Sequence, residues 1–491
     1  MPAFVLKGLR FSWAAWHRRL GLVTCFGVLL WGLSGLSHPI MSRLQPKPAA
    51  FTAPTSVMNL AETMDPQAVL ACHQIAQFQR LNVISLDNAV YYRIASSTDA
   101  PARYFSAADC KEIQGGDEYY ARKLASYYTG RPESAITGVS LITQFDEEYL
   151  SVNRLLPVWR VEFAGPDHLR AYIDTDQARL STLIDDTRNV LGTMFRLGHN
   201  WAFLESFPRM QLMVMMVILG TVLFSAISGL TLYVRRRSHS QERLEKQAGR
   251  RWHRRLGLLV AITTLTFAGS GVFHLVMSYQ QQKATVTHQP ATIEAAGLSA
   301  QGWQQVTQHQ PHRIDLVHTA TGLYWLLRND LPPSRVAVLS HADHHPTSHA
   351  STAVILLPAD NDAIASSTNL LALARSQAAQ YASLPEQAVK QTEAITKFGG
   401  EYGFIFKRLP VMKVQFAGAG NPRYYIEPAT GALAAEIRDI DATEGKTFAY
   451  LHKWTWLDAN KAIRDVLMML FALGNVSVAL LGLWLFTRKE G

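Results

Sequence analysis

Charge is scarce in this chain. Of its 491 residues only 17% are Asp, Glu, Lys or Arg, where a soluble globular domain carries about 25%. Cysteine is rarer still: three residues cannot staple a chain of this length as a disulfide scaffold. Gly-x-Gly-x-x-Gly fingerprints, phosphate-binding loops, nucleophile elbows and the Cys-x-x-Cys-His haem-attachment motif are all missing. Nothing therefore points to a nicotinamide, flavin, ATP or covalent-haem site. Glycine (31) and proline (21) follow no period, so collagen-like and low-complexity classes drop out. With 48% hydrophobic residues the chain is not disordered either.

What the chain has is long apolar sequence. Four runs, Leu20 to Ile40, Met210 to Val234, Leu256 to Met277 and Val466 to Phe486, hold no Asp, Glu, Lys or Arg. Crossing a bilayer takes about 20 such residues, and a charge at its centre costs about 2.5–3.5 kcal/mol on insertion scales. The four runs are therefore expected to be transmembrane helices. Lys7, Arg10, Arg18 and Arg19 precede the first. Residues 235–255 carry nine Lys and Arg against Glu242 and Glu245, and Arg488 and Lys489 follow the last run. By the positive-inside rule these segments, with both termini, are cytoplasmic, and the long segments 43–208 and 279–464 face the other side. The formal charge of +9 is thus a topology signal, and nucleic-acid binding is excluded.

The chain repeats itself. Trp16-His17-Arg18-Arg19-Leu20-Gly21-Leu22 recurs as Trp252-His253-Arg254-Arg255-Leu256-Gly257-Leu258. In the same register Gly35, His38, Met41 and Ser42 match Gly271, His274, Met277 and Ser278. Further on, the stretch Leu156 to Gly165 matches Leu409 to Gly418, Tyr172-Ile173 matches Tyr425-Ile426, and His199-x-Trp201 matches His452-x-Trp454. Each half reads as span, outer domain, His-x-Trp, span, a parallel tandem repeat. The first run has the basic start of a signal peptide, but its counterpart inside the chain argues that it is retained. The expected domains are 1–42, 43–208, 209–278, 279–464 and 465–491. Both outer segments read as small, separate α+β units. In the first, helices are expected over 64–79 and 117–128, and strands over 88–96, 136–145, 158–164 and 170–174. A Pro/His/Ser-rich loop is expected near 332–350 in the second.

Six histidines sit at repeated membrane-edge positions: His17, His38, His199, His253, His274 and His452. A rise of 1.5 Å per residue puts His17 and His38 about 31 Å apart, near opposite faces of a bilayer. Neutral imidazoles facing each other across a bundle are what a b-type haem requires. The other reading is an interfacial aromatic and basic anchor. Gly32, Ser34, Gly35, Gly269, Ser270 and Gly271 would let a flat macrocycle approach, and Arg18, Arg19, Arg254 and Arg255 could pair with propionates. Cys72 and Cys110 are a candidate disulfide in an oxidising compartment, with free thiols the alternative. Cys25 reads as packing, and Asn475 as a hydrogen bond inside the bundle. His341, Asp343, His344, His345 and His349 form a loop that either touches a metal or is simply solvated.

Trp-His-Arg-Arg-Leu-Gly leading into a span that ends Ser-Gly-x-x-His, with Leu451-His452 before a later span, resembles the PepSY-associated transmembrane family. That family includes iron-regulated inner-membrane proteins and dihaem reductases of ferric siderophores. The resemblance covers nearly the whole chain and implies a fold: an integral membrane four-helix bundle built from a tandem repeat, with two extracytoplasmic PepSY-like α+β domains. It implies a bacterial inner-membrane location and two, up to three, haem b groups held by the six histidines. It also implies electron transfer to a ferric siderophore or other ferric chelate, from a quinol or a cytoplasmic reductase. Gly198-His199-Asn200 departs from the Leu-His of the other half. A different class stays open: a non-catalytic membrane protein whose PepSY-like domains bind or restrain a partner, or an accessory of siderophore uptake. A permease is disfavoured, because the spans lack charge for an ion-coupled path.

Overall fold

The four apolar runs form helices that extend past the expected ends into charged or polar sequence. The structure, a computed structural model, describes residues 12–236, 248–280, 291–319, 322–329, 353–360 and 369–488. Its helices are α1 (Trp13–Leu44), α2 (Pro66–Cys72), α3 (Gly116–Thr129), α4 (Asp186–Phe195), α5 (Pro208–Arg236), α6 (Ala248–Gln280), α7 (Ala300–Val306), α8 (Leu370–Ala382), α9 (Asp439–Thr447) and α10 (Lys461–Thr487). The chain divides into a helical unit (12–44, 187–280 and 443–488 among the described residues) and a β-rich unit.

In the helical unit α1, α5, α6 and α10 are each long and apolar enough to cross a membrane. They close a ring in which α1 packs on α5 and α10, and α6 packs on the same two. Large apolar side chains face outward and small polar ones inward. Large apolar side chains such as Val217, Leu259, Ile262 and Leu470 are exposed, whereas Ser34, Ser37, Ser225, Ser228, Thr263 and Ser270 are buried. Small residues set the helix spacing. A Cβ on Gly27 would stand 2.7 Å from Ile218, and one on Gly32 2.6 Å from Val476. Asn475 accepts a hydrogen bond from Thr264 (2.5 Å) and donates to the Phe471 carbonyl (2.9 Å), so its amide is satisfied within the helices. The buried Cys25 thiol donates to the Ala479 carbonyl (3.2 Å).

The β-rich unit departs from two separate domains. Strands β2 (Arg80–Leu86), β3 (Ala89–Ala95), β4 (Arg103–Ser106) and β5 (Glu112–Ile113) come from the first segment. Strands β11 (Arg313–Thr319), β12 (Gly322–Asn329) and β13 (Ala353–Pro358) come from the second. All seven form one antiparallel sheet in the order β13-β12-β11-β2-β3-β4-β5, joined where Val83 faces Ile314 and Asn82 faces Asp315. Strand β1 (Gln77–Phe78) likewise pairs with β10 (Ile293–Glu294) across the two segments. Each segment then adds an antiparallel meander. One is β6 (Ile136–Ile142), β7 (Val158–Phe163), β8 (Arg170–Asp174) and β9 (Arg179–Ile184); the other is β14 (Val389–Ile395), β15 (Val411–Phe416), β16 (Arg423–Glu427) and β17 (Ala432–Ile437).

The helix expected over 64–79 stops at Cys72. Asp65 caps its start by accepting from the Gln67 and Ala68 amides, but Gln74 turns to positive φ and the chain leaves as β1. Cys72 and Cys110 are joined in a disulfide, 6.8 Å apart at Cα. The Pro/His/Ser-rich stretch at 332–350, with His341, Asp343, His344, His345 and His349, lies outside the described residues.

Between the segments the β-rich unit buries charge and pairs it. Asn82 donates to Asp315 (2.7 Å), and Arg93 donates to Asn82 (3.1 Å). Arg328 is 2.8 Å from Asp315. Glu427 accepts from Arg179 (2.5 Å), Arg408 (2.8 Å) and Thr430 (2.6 Å). Burial pushes the Glu427 carboxyl up, but the two guanidinium groups outweigh it and hold it down at about 2.

Candidate functional site

Histidines on regular helices and histidines on irregular turns meet in two pairs. His17 on α1 and His253 on α6 occupy matched positions, and their ring centres are 6.4 Å apart with planes at 68°. His199 and His452 sit on π-helical turns, Arg196–Asn200 and Phe448–His452, where the backbone departs from the α-helical ladder. Their ring centres are 6.3 Å apart with planes at 82°. Trp201 and Trp454 follow these turns at positive φ (55° and 52°), a conformation that aromatic side chains rarely adopt. Trp201 stacks on Trp31, which donates to the His199 carbonyl (2.9 Å), and Trp454 stacks on Phe267. The strained corners are thus clamped by aromatic packing.

Each paired ring has one nitrogen engaged. His253 Nδ1 donates to the Val478 carbonyl at 3.1 Å. His17 Nδ1 lies 2.8 Å from Ser228 Oγ, which itself donates to the Ser225 carbonyl (3.1 Å). His199 Nδ1 lies 3.3 Å from Ser34 Oγ, and His452 Nδ1 3.2 Å from Ser270 Oγ. A neutral imidazole that donates through Nδ1 keeps its lone pair on Nε2, the state in which it ligates metal. Orienting hydrogen bonds of this sort are the usual support for a ligating histidine.

The spacing suits an iron between the rings. A metal–nitrogen bond of about 2 Å on each side, with about 1.1 Å from nitrogen to ring centre, puts two coaxial imidazoles about 6.2 Å apart. Both pairs match that figure. Among the described residues, no three or more His, Cys, Asp or Glu converge as a metal cluster, so the candidate ligand sets are pairs.

His38 and His274 stand elsewhere. His38 is exposed, with its ring 5.5 Å from Phe195. His274 lies 4.8 Å from Phe448 and its Nδ1 is 2.6 Å from Glu444 Oε1. Phe195 and Phe448 in turn stack on His199 and His452, each at 4.5 Å. The six rings therefore form one row, His38, Phe195, His199, His452, Phe448, His274, with a candidate metal position only at its centre.

The glycines divide differently from the expectation. Gly32 and Gly271 serve helix contact, a Cβ on Gly271 reaching 2.8 Å from Leu219. Gly35 and Gly269 have nothing within 4 Å of an added Cβ. Ser34 and Ser270 hold the histidines instead. Sequence reading missed Gly229 and Gly482, where a Cβ would stand 3.5 Å from His17 and 3.2 Å from His253. It also missed why residue 198 is glycine: a Cβ there would come within 2.8 Å of Ser34. At the basic ends Arg19 lies over Trp16 (5.8 Å) and Arg254 over Tyr233 (4.7 Å), while Arg18 and Arg255 are exposed. No family model matches the chain, and no curated protein matches it.

Proposed function

We propose that this chain is a membrane oxidoreductase that holds two b-type haems and passes electrons to a ferric chelate on the far side from its basic loops. The observation that carries this reading is the pair of cross-half histidine couples, His17 with His253 and His199 with His452. Both have ring centres 6.3–6.4 Å apart, a separation that would admit an iron between them, and an engaged Nδ1. Haem bound at each couple would supply a one-electron carrier near each face of the membrane. In this reading the four apolar helices form a transmembrane bundle made by duplication, and the β-rich unit is extracytoplasmic and PepSY-like. The location is a bacterial inner membrane, in line with the resemblance of the Trp-His-Arg-Arg-Leu-Gly spans to PepSY-associated ferric-siderophore reductases.

The residues have distinct tasks. The four paired imidazoles would hold the iron, and Ser34, Ser228, Ser270 and the Val478 carbonyl would keep them in the ligating tautomer. Phe195 and Phe448 cover two of the ligands against water and polar competitors. Arg18, Arg19, Arg254 and Arg255 offer charge to propionates at the basic face. Electrons would enter from a quinol or a cytoplasmic reductase. At the opposite face one electron converts Fe(III) to Fe(II), a softer ion and a poorer match for hard oxygen ligands, so the chelate lets go.

Purified protein from cells supplied with a haem precursor should show a Soret band, and an α-band that sharpens on dithionite reduction, with two haems per chain. A colourless preparation would sink the reading. Reoxidation of the reduced protein by a ferric siderophore tests the acceptor.

A further inference from the structure

The duplication sets two edges of the β-rich unit side by side. In the meander of the first segment the outermost strand is β6, and β7 is its one neighbour among the described strands. In the meander of the second segment β14 holds the same place beside β15. The two edges match residue for residue. Ile136 lies opposite Phe163 as Val389 lies opposite Phe416, and both strands shift register at the next residue, Thr137 and Lys390.

On β14 the edge is guarded. Lys390 and Gln391 are exposed, and Glu393 pairs with Lys413 of β15 at 3.0 Å. Charged side chains on an edge oppose pairing with another chain, because an incoming strand would have to desolvate them. On β6 the matched residues are Thr137, Gly138 and Ser140, while Val139 and Leu141 stand where β14 has Thr392 and Ala394. All seven residues, Ile136–Ile142, are uncharged, and none is proline. Thr137 and Ser140 are exposed. The nearest atoms to a Cβ added at Gly138 belong to Glu162 of β7, at 3.5 Å. A glycine inside a strand suits the close approach of a second backbone. The sequence just past the strand differs as well: Asp146 and Glu147, both exposed, stand where the second half has Gly399 and Gly400. A meander of this fold does not require a bare edge, since β14 folds with a guarded one.

We propose that β6 is a docking edge for an extended segment of a partner polypeptide, which adds a fifth antiparallel strand to the first meander. The main chain of an edge strand offers alternating amide and carbonyl groups, a pattern that another extended backbone matches. The lack of charge along β6 favours an uncharged run in the partner. An antiparallel strand begins where β6 ends, so Asp146 and Glu147 favour Lys or Arg just ahead of that run. The guarded β14 accepts no such strand. The docking needs no haem, so it stands or falls apart from the redox reading.

The test uses the full-length protein in nanodiscs and the blocked peptide Lys-Arg-Val-Thr-Val-Thr-Val-Thr, with backbone hydrogen exchange as the readout. The peptide should slow exchange across 136–142 by about fivefold or more and leave 389–395 as it was. A peptide with proline in place of its central valine, and one led by Glu-Glu, should bind on the order of tenfold more weakly. Gly138→Gln and Ser140→Glu give β6 the side chains that β14 carries at matched positions. Each should fold, as intrinsic fluorescence reports, and weaken binding on the order of tenfold. Glu147→Gln should weaken it about threefold, and less at high salt. Unchanged exchange at 136–142 overturns the proposal, as does equal protection of 389–395. So does undiminished binding by the two guarded variants or by the proline peptide, which would make the contact one of side chains alone. Protection of β6 without peptide that grows with the number of copies per nanodisc would assign the edge to a second copy of this chain instead.

Discussion

The two units treat buried polar groups in opposite ways. In the β-rich unit Arg93, Asp315, Arg328 and Glu427 are all buried; Arg93 bonds within the first segment, and the other three have partners from both segments. In the helical unit four imidazoles have Nδ1 engaged among mostly apolar neighbours. A network that satisfies itself holds a fold together. Four rings in two pairs, each held through Nδ1, leave Nε2 as the nitrogen that could take a ligand.

Substitutions should separate these roles. The largest effect belongs to the proposed ligands: if each couple holds a haem, His199→Ala or His452→Ala should remove one of the two, read as the haem-to-protein ratio. Retention of both would show that the π-helical turns do not carry ligands. Glu427→Ala should leave haem unchanged yet destabilise the β-rich unit by about 3–5 kcal/mol, because Arg179 and Arg408 then lie beside an uncompensated gap. Denaturation followed by intrinsic fluorescence measures it.

Acid should act on the same carboxylate. Its pKa is depressed in the folded state, so its contribution is full above an ordinary carboxylate value of about 4.3 and is lost as pH falls from there through about 2. The acid unfolding midpoint of wild type should therefore be steeper in pH than that of Glu427→Gln. Removing an orienting hydroxyl is milder: Ser34→Ala should lower haem affinity at the His199–His452 couple about tenfold, seen in competition with apomyoglobin. The smallest effect is expected at the row's end, where His38→Ala should leave haem content as it was. Loss of a haem there would make His38 a ligand and break the assignment of the centre.

Much of this contrast could be read in the sequence, and the unread parts share a cause. The runs at 20–40, 210–234, 256–277 and 466–486 all lie inside observed helices, and His17 and His253 pair because a regular helix carries matched residues to matched depth. Local patterning also placed the strand at Ala89–Ala95 and the helix at Gly116–Thr129. The His199–His452 pairing was not legible, because it depends on π-helical turns and on Trp residues at positive φ, which no periodicity encodes. The shared seven-stranded sheet escaped for a different reason: β2 meets β11 through a non-local pairing, and alternation within one strand does not name its neighbour.

That shared sheet has a consequence in time. Asn82 and Asp315, which hydrogen-bond across its junction, are 233 residues apart. At a synthesis rate of 5–20 residues per second, roughly 10 to 50 s pass before the partner strand exists. For that interval β2 is an unpaired edge with Asn82 lacking its second-segment partner, a template for pairing with the wrong chain. Maturation of the first half is thus suspended until the second has been delivered, and a holdase active on the nascent first half would set the yield of the whole protein.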